Sequence, residues 1–74
     1  MFIIAKRELR EHRIKAGYSV EGFANAIGIN AATVSYIENR KRHPSPAYAQ
    51  RICQALHKSF DDIFEIIGTG REDE

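Results

Sequence analysis

Four consecutive basic residues, Arg40-Lys41-Arg42-His43, follow closely on a set of small and hydroxylated ones, Ala31, Ala32, Thr33, Ser35 and Tyr36. The basic group carries three permanent charges and one conditional one, which is the chemistry of phosphate contact. The second group offers methyls from Ala31, Ala32 and Thr33, which suit thymine methyls, and hydroxyls from Thr33, Ser35 and Tyr36 that donate or accept. It contains no Arg, Lys, Asn or Gln for bidentate pairing with guanine or adenine, a pairing that supplies roughly 1–3 kcal/mol of discrimination each time. Any base reading by this set therefore leans on DNA shape, water and flanking side chains. Catalytic chemistry is missing: there is no Ser/His/Asp set and no Gly-rich phosphate loop, and His12, His43 and His57 are dispersed with no acid at a motif spacing. The chain does not read as an enzyme. Its one cysteine, Cys53, allows no internal disulfide, and no Cys/His cluster has zinc-site spacing, so neither metal nor cofactor is expected.

The elements that must position these groups are legible around them. Ser19 is a good N-cap, and Phe23, Ala24 and Ile27 then share one helical face. Gly28 stands where that helix should end, because glycine takes the left-handed conformation at no steric cost. Ile29 plugs the turn, Asn30 caps a second helix, and Val34 and Ile37 form the inner face of that helix. Two short helices joined by a tight turn make a helix-turn-helix, whose second helix can enter a DNA major groove. The free amides at the ends capped by Ser19 and Asn30 add two candidate phosphate sites.

Three further helices complete the reading. The first covers about Ala5 to Ala16, with Leu9 and Ala16 facing in and Gly17 ending it; Phe2-Ile3-Ile4 can extend it or form a short strand. Arg10 or Arg7 could reach a phosphate from this helix. The fourth is capped by Ser45 with Pro46 in its first turn, where a missing amide costs nothing, and buries Tyr48, Ala49, Ile52, Ala55 and Leu56. Cys53, at helical spacing from Ala49 and Leu56, reads as a small buried apolar residue. Ser59 caps the fifth, with Asp62 forming a capping-box pair. Ile63, Phe64, Ile66 and Ile67 make this last helix more apolar than one inner face requires, which points to a homodimer interface. The expected fold is all-α, a compact five-helix domain over residues 1–67, followed by a flexible acidic tail over 68–74.

In order and spacing, Leu9 to Phe64 resembles the Xre family of phage repressors and Cro proteins. The match comprises Leu9-Arg10-Glu11-His12-Arg13, Ser19 to Ile27, Gly28-Ile29-Asn30 through Ile37-Glu38-Asn39, Pro44-Ser45-Pro46 to Leu56, and Ser59 to Phe64. The resemblance implies a double-stranded DNA operator, an inverted repeat read by a homodimer, with the recognition helix near residues 31–38. It implies that Lys41, Arg42 and His43 lie along one strand's phosphates, and Arg40 of the same basic loop is a further phosphate candidate. It also implies that Arg13 and Glu38 meet across the core as a structural ion pair. Three positions depart from the family pattern. Val20 replaces the usual glutamine that braces the recognition helix, Arg40 replaces a glycine, so that it or Asn39 must turn left-handed, and His57 also stands where glycine is common. His12, in place of a usual leucine, reads as a half-buried packing residue.

Charge distribution agrees with a nucleic-acid partner. Residues 1–58 carry ten Lys/Arg against four acids, whereas residues 59–74 carry one against six, so a net charge of +1 conceals a basic body. No apolar run approaches the roughly 20 residues of a membrane span, and Met1 to Ala5 is too short for a signal peptide's apolar region. A cytoplasmic protein is expected. The competing reading is a protein-interaction module on the same fold, a repressor modulator or antitoxin with a possible protein partner, favoured by Val20, the small recognition face and the apolar last helix.

Overall fold

Capping side chains set most of the element boundaries in the computed structural model, which describes residues 1–68. The acidic stretch expected as a tail lies, from residue 69 onward, outside the described residues. In chain order the elements are β1 (Phe2–Ala5), α1 (Arg7–Lys15), α2 (Val20–Ile27), α3 (Ala31–Glu38), α4 (Pro46–Leu56), α5 (Phe60–Ile63) and β2 (Phe64–Ile67). The Gly22 amide donates to Ser19 Oγ at 2.9 Å to open α2, and the Tyr48 amide donates to Ser45 Oγ at 3.2 Å to open α4, with Pro46 in its first turn. Gly28, at φ +79°, ends α2 and returns its amide to the Ala24 carbonyl. At α5 the Ser59 amide donates to Asp62 Oδ2, forming the expected capping box. These hydrogen bonds from Ser59 hold the Asp62 carboxyl below its ordinary range. The cap thus favours the folded state above that range and loses its contribution as the pH falls through it.

The helical layer encloses a core of Leu9, Phe23, Ala24, Ile27, Val34, Ile37, Ala49, Ile52, Cys53 and Leu56, joined by Ala5, Ile63 and Phe64. Cys53 belongs to this core as expected, and burial pushes its thiol up from the ordinary value. His12 is half-buried, as expected, whereas Ala16 is an exposed helix-end residue rather than an inward one.

The expected all-α architecture needs one correction. The last helix is a single turn, and the apolar residues after it form a strand. Phe2–Ala5 resolves the open choice at the amino end, pairing antiparallel with Phe64–Ile67 in the register Phe2↔Ile67, Ile3↔Ile66, Ile4↔Glu65 and Ala5↔Phe64. The first helix accordingly begins at Arg7, not Ala5. An isolated two-stranded ribbon is at best marginal in water. This one is anchored because the facing pair Ala5 and Phe64 is fully buried and the Lys6 amide donates to the Ile63 carbonyl at 2.9 Å. Ile63 and Phe64, each 0% exposed, therefore serve the monomer's own core and are withdrawn from the expected dimer interface. Ile66 remains 52% exposed and Ile67 is half-buried.

Among the described residues, two non-glycine residues adopt the left-handed conformation, Arg40 at φ 61° and His57 at φ 54°, the first resolving the choice between Arg40 and Asn39. They are not equivalent. His57 is exposed and ends α4, so its cost is not offset by burial. Replacing His57 by glycine is expected to stabilise the domain by about 0.5–1 kcal/mol, the relief of left-handed strain less the added unfolded-state entropy. Arg40→Gly relieves the same strain but removes a hydrogen bond from Arg40 Nε to the Ala5 carbonyl at 3.0 Å. Its gain in urea melts is expected to be smaller or absent. Equal gains from both substitutions would show that the Arg40 bond contributes nothing.

Candidate nucleic-acid interface

Asn30 organises the start of α3 through one atom. Its Oδ1 accepts from both the Thr33 amide and the Thr33 hydroxyl, each at 2.8 Å. Thr33 is consequently turned into the protein and only 7% exposed, which removes it from the expected base-reading set. The competing principle is local: a threonine three residues after an Asn cap satisfies its hydroxyl on the cap. Ala31 is half-buried and packs against the core, so its methyl serves packing as well as surface. Ala32 and Tyr36 are exposed and Ser35 is half-buried. With Asn39 they make an i, i+3, i+4, i+7 series along one outward stripe. Asn39 is exposed, and its Nδ2 lies 3.5 Å from Ser35 Oγ. It was missed as a base-facing candidate, although the same periodicity taken one turn further includes it. An Asn there supplies the amide that the shorter set lacked, able to pair with adenine at its two major-groove sites.

The loop after α3 divides its four basic residues among different tasks. Arg40 turns back onto β1 through the bond to Ala5 and so acts in the fold, a correction to its expected place on a phosphate. Lys41 is exposed. The Arg42 guanidinium lies 5.8 Å from the centroid of the Tyr36 ring. His43 is exposed and stacks on Phe2, ring centroids 4.6 Å apart, joining the loop to the amino-terminal strand. Arg7, Arg10, Glu38, Asn39 and Arg40 line one depression, so an exposed cation of α1 sits beside the end of α3. Ser19 and Asn30 are both exposed at their helix starts. The Ser19 hydroxyl and Asn30 Oδ1 are committed to their own helices, which leaves backbone amides and the Asn30 amide nitrogen for a phosphate.

Beneath this surface the Arg13–Glu38 pair is formed as the family resemblance implied. Arg13 Nε donates to Glu38 Oε2 at 2.5 Å and Nη2 to Oε1 at 3.2 Å, a bidentate fork, while Nη1 donates to the Tyr18 carbonyl at 2.8 Å. Both side chains are 7% exposed. The fork clamps α1 to the carboxyl end of α3 and fixes the angle at which α3 leaves the body. Val20, where the family carries a bracing glutamine, is half-buried against the core instead. Among the described residues no group of His, Cys, Asp and Glu is placed to hold a metal, and no helix is long and apolar enough to cross a membrane.

Known proteins share this arrangement. A helix-turn-helix family profile matches residues 9–63. An uncharacterized HTH-type transcriptional regulator of Bacillus subtilis strain 168, YgzD, is 34% identical over 59 residues, covering 80% of this chain and 89% of its own. A second from that organism, YazB, is 39% identical over 57 residues, covering 77% and 83%. Among solved structures, the restriction-modification controller protein C.AhdI from Aeromonas hydrophila superimposes with a TM-score of 0.70 at 27% identity, over 76% of this chain and 81% of that one. Matched through α1 to α5, with α3 outward and the Arg13–Glu38 fork beneath it, the chain belongs to the Xre-type helix-turn-helix family of DNA-binding transcription regulators.

Proposed function

We propose that this protein is a sequence-specific regulator that binds a double-stranded DNA operator, an inverted repeat, as a homodimer, with α3 in the major groove. One observation carries the reading. Exposed cations meet the outward stripe Ala32, Ser35, Tyr36 and Asn39: Arg10 shares a depression with Asn39, the Arg42 guanidinium lies over Tyr36, and exposed Lys41 stands next to Arg42 in the chain. Ser19, Asn30 and His43 complete the phosphate-facing set, while Ala31 adds a methyl at the edge of the stripe. In this arrangement Lys41 positions without reading. Replacing it by alanine is expected to weaken binding to all duplexes alike and to lower the slope of log affinity against log salt by about one unit. Fluorescence anisotropy over a salt series measures both. An unchanged slope would remove Lys41 from the phosphate contacts.

The dimer is placed at the outer end of the two-stranded sheet, where Phe2 and Ile66 are exposed and Ile67 half-buried, rather than at Ile63 and Phe64. A two-fold axis there would present two copies of α3 to successive turns of one face of the duplex, roughly 34 Å apart. Sedimentation at micromolar concentration with and without DNA tests this; a monomer under both conditions would refute it. The same surface favours a second reading, in which the fold serves mainly to bind another protein. An apolar depression lined by Met1, Phe2, Ile3, Pro44, Pro46 and Ile66 adjoins His43 of the basic loop. That reading predicts DNA binding with no sequence preference, or none at all.

A further inference from the structure

We propose that Arg42 positions Tyr36 for base reading, so that the two side chains act as one specificity unit and Arg42 is not a free phosphate clamp. The proposal rests on the DNA-reading assignment of α3 and goes beyond it by separating Arg42 from its neighbour Lys41. Tyr36 is 46% exposed on the outward stripe, where an unsupported ring would sample several orientations. One side-chain contact, set up by the backbone beneath it, restrains it. The Tyr36 carbonyl accepts from the Lys41 amide at 2.8 Å and from the Arg42 amide at 3.2 Å, which fixes the backbone of the loop against the last turn of α3. From that fixed point the Arg42 side chain returns over the ring, its guanidinium carbon 5.8 Å from the ring centroid.

The chemistry favours a planar cation here. A guanidinium stacks flat on an aromatic face, whereas an ammonium is a compact, strongly hydrated point charge. With the Arg42 guanidinium over one face of the ring, Tyr36 has its opposite face and its hydroxyl left for the groove. The ligand class is therefore a major-groove hydrogen-bond acceptor, purine N7, guanine O6 or thymine O4.

Arg42→Lys separates the two roles, because it keeps the charge and replaces the planar guanidinium by a compact ammonium. Wild type, Arg42→Lys, Tyr36→Phe and Lys41→Ala each select from a duplex pool randomised over about 20 base pairs, enough for two half-sites. The enriched sequences are then ranked at several salt concentrations. The expected result is that Arg42→Lys keeps the wild-type salt slope but loses about two- to five-fold in discrimination, the equivalent of one exposed cation–π contact. The loss falls at the same base positions that Tyr36→Phe relaxes, whereas Lys41→Ala leaves the ranking intact. In the DNA-free protein, the Tyr36 ring resonances shift in Arg42→Lys while those of Tyr18 and Tyr48 stay in place, which shows that the fold is retained. If Arg42→Lys ranks sequences as wild type does, the proposal is overturned and Arg42 is a phosphate clamp. If wild type itself enriches no sequence, the DNA-reading assignment falls and the proposal with it, a result distinguishable from the first.

Discussion

Replacing Arg13 by alanine is expected to destabilise the domain by about 3–5 kcal/mol, because Glu38 is then left as a buried charge with no partner. The Tyr18 carbonyl loses its donor in the same step. Small domains hold about 0.05–0.15 kcal/mol per residue, so this loss is comparable to the whole stability of a chain this size. Glu38→Ala should do similar damage from the other side. The signature that separates an orphaned charge from a lost contact is the paired substitution Arg13→Met with Glu38→Leu. It removes both charges together and is expected to melt later than either single alanine variant. Urea melts of the four proteins measure this. Single variants within about 0.5 kcal/mol of wild type, the usual range for a surface substitution, would show that the fork is not the clamp described.

Phe64→Ala is the second large effect, at about 3–5 kcal/mol, the range for emptying an aromatic from a packed core. Phe64 is fully buried, its ring centroid is 5.4 Å from that of Phe60, and its strand partner Ala5 is buried with it. The loss should appear in the unfolding of the single chain and be independent of protein concentration. Ile66→Ala, by contrast, truncates a half-exposed side chain and should leave the monomer's melt nearly unchanged while weakening self-association. The opposite pattern, a concentration-dependent defect in Phe64→Ala and a stability defect in Ile66→Ala, would return Phe64 to the interface.

These two substitutions mark where local sequence signals stop. Ser19, Gly28, Asn30 and Ser45 are legible because each acts on backbone groups within three or four residues of itself, and all four cap as read. Arg13 and Glu38 are 25 residues apart, and their meeting was legible only through the family resemblance. The strands were ambiguous for a physical reason. Phe2-Ile3-Ile4 and Phe64 to Ile67 are short apolar runs; in sequence the first fits helix or strand equally, and the second reads as a continuation of the helix that Ser59 caps. Periodicity cannot separate these states over four residues, and the deciding contact joins opposite ends of the chain. At the site, Ala32, Ser35 and Tyr36 follow from helical period. Thr33 did not, because its hydroxyl is captured by the cap three residues earlier. Arg40 did not either, because its partner is the Ala5 carbonyl, 35 residues away.

The outward stripe of α3 and the loop after it are expected to form the surface that meets DNA. Amide and side-chain chemical-shift mapping during titration with a duplex enriched by the wild-type protein tests this most directly. The largest changes are expected at Ala32, Ser35, Tyr36, Asn39, Lys41 and Arg42, with smaller ones at Ser19, Asn30 and Arg10. Changes confined to Phe2, Ile3 and Ile66, or absent along α3, would contradict the account and leave the protein-interaction reading in its place.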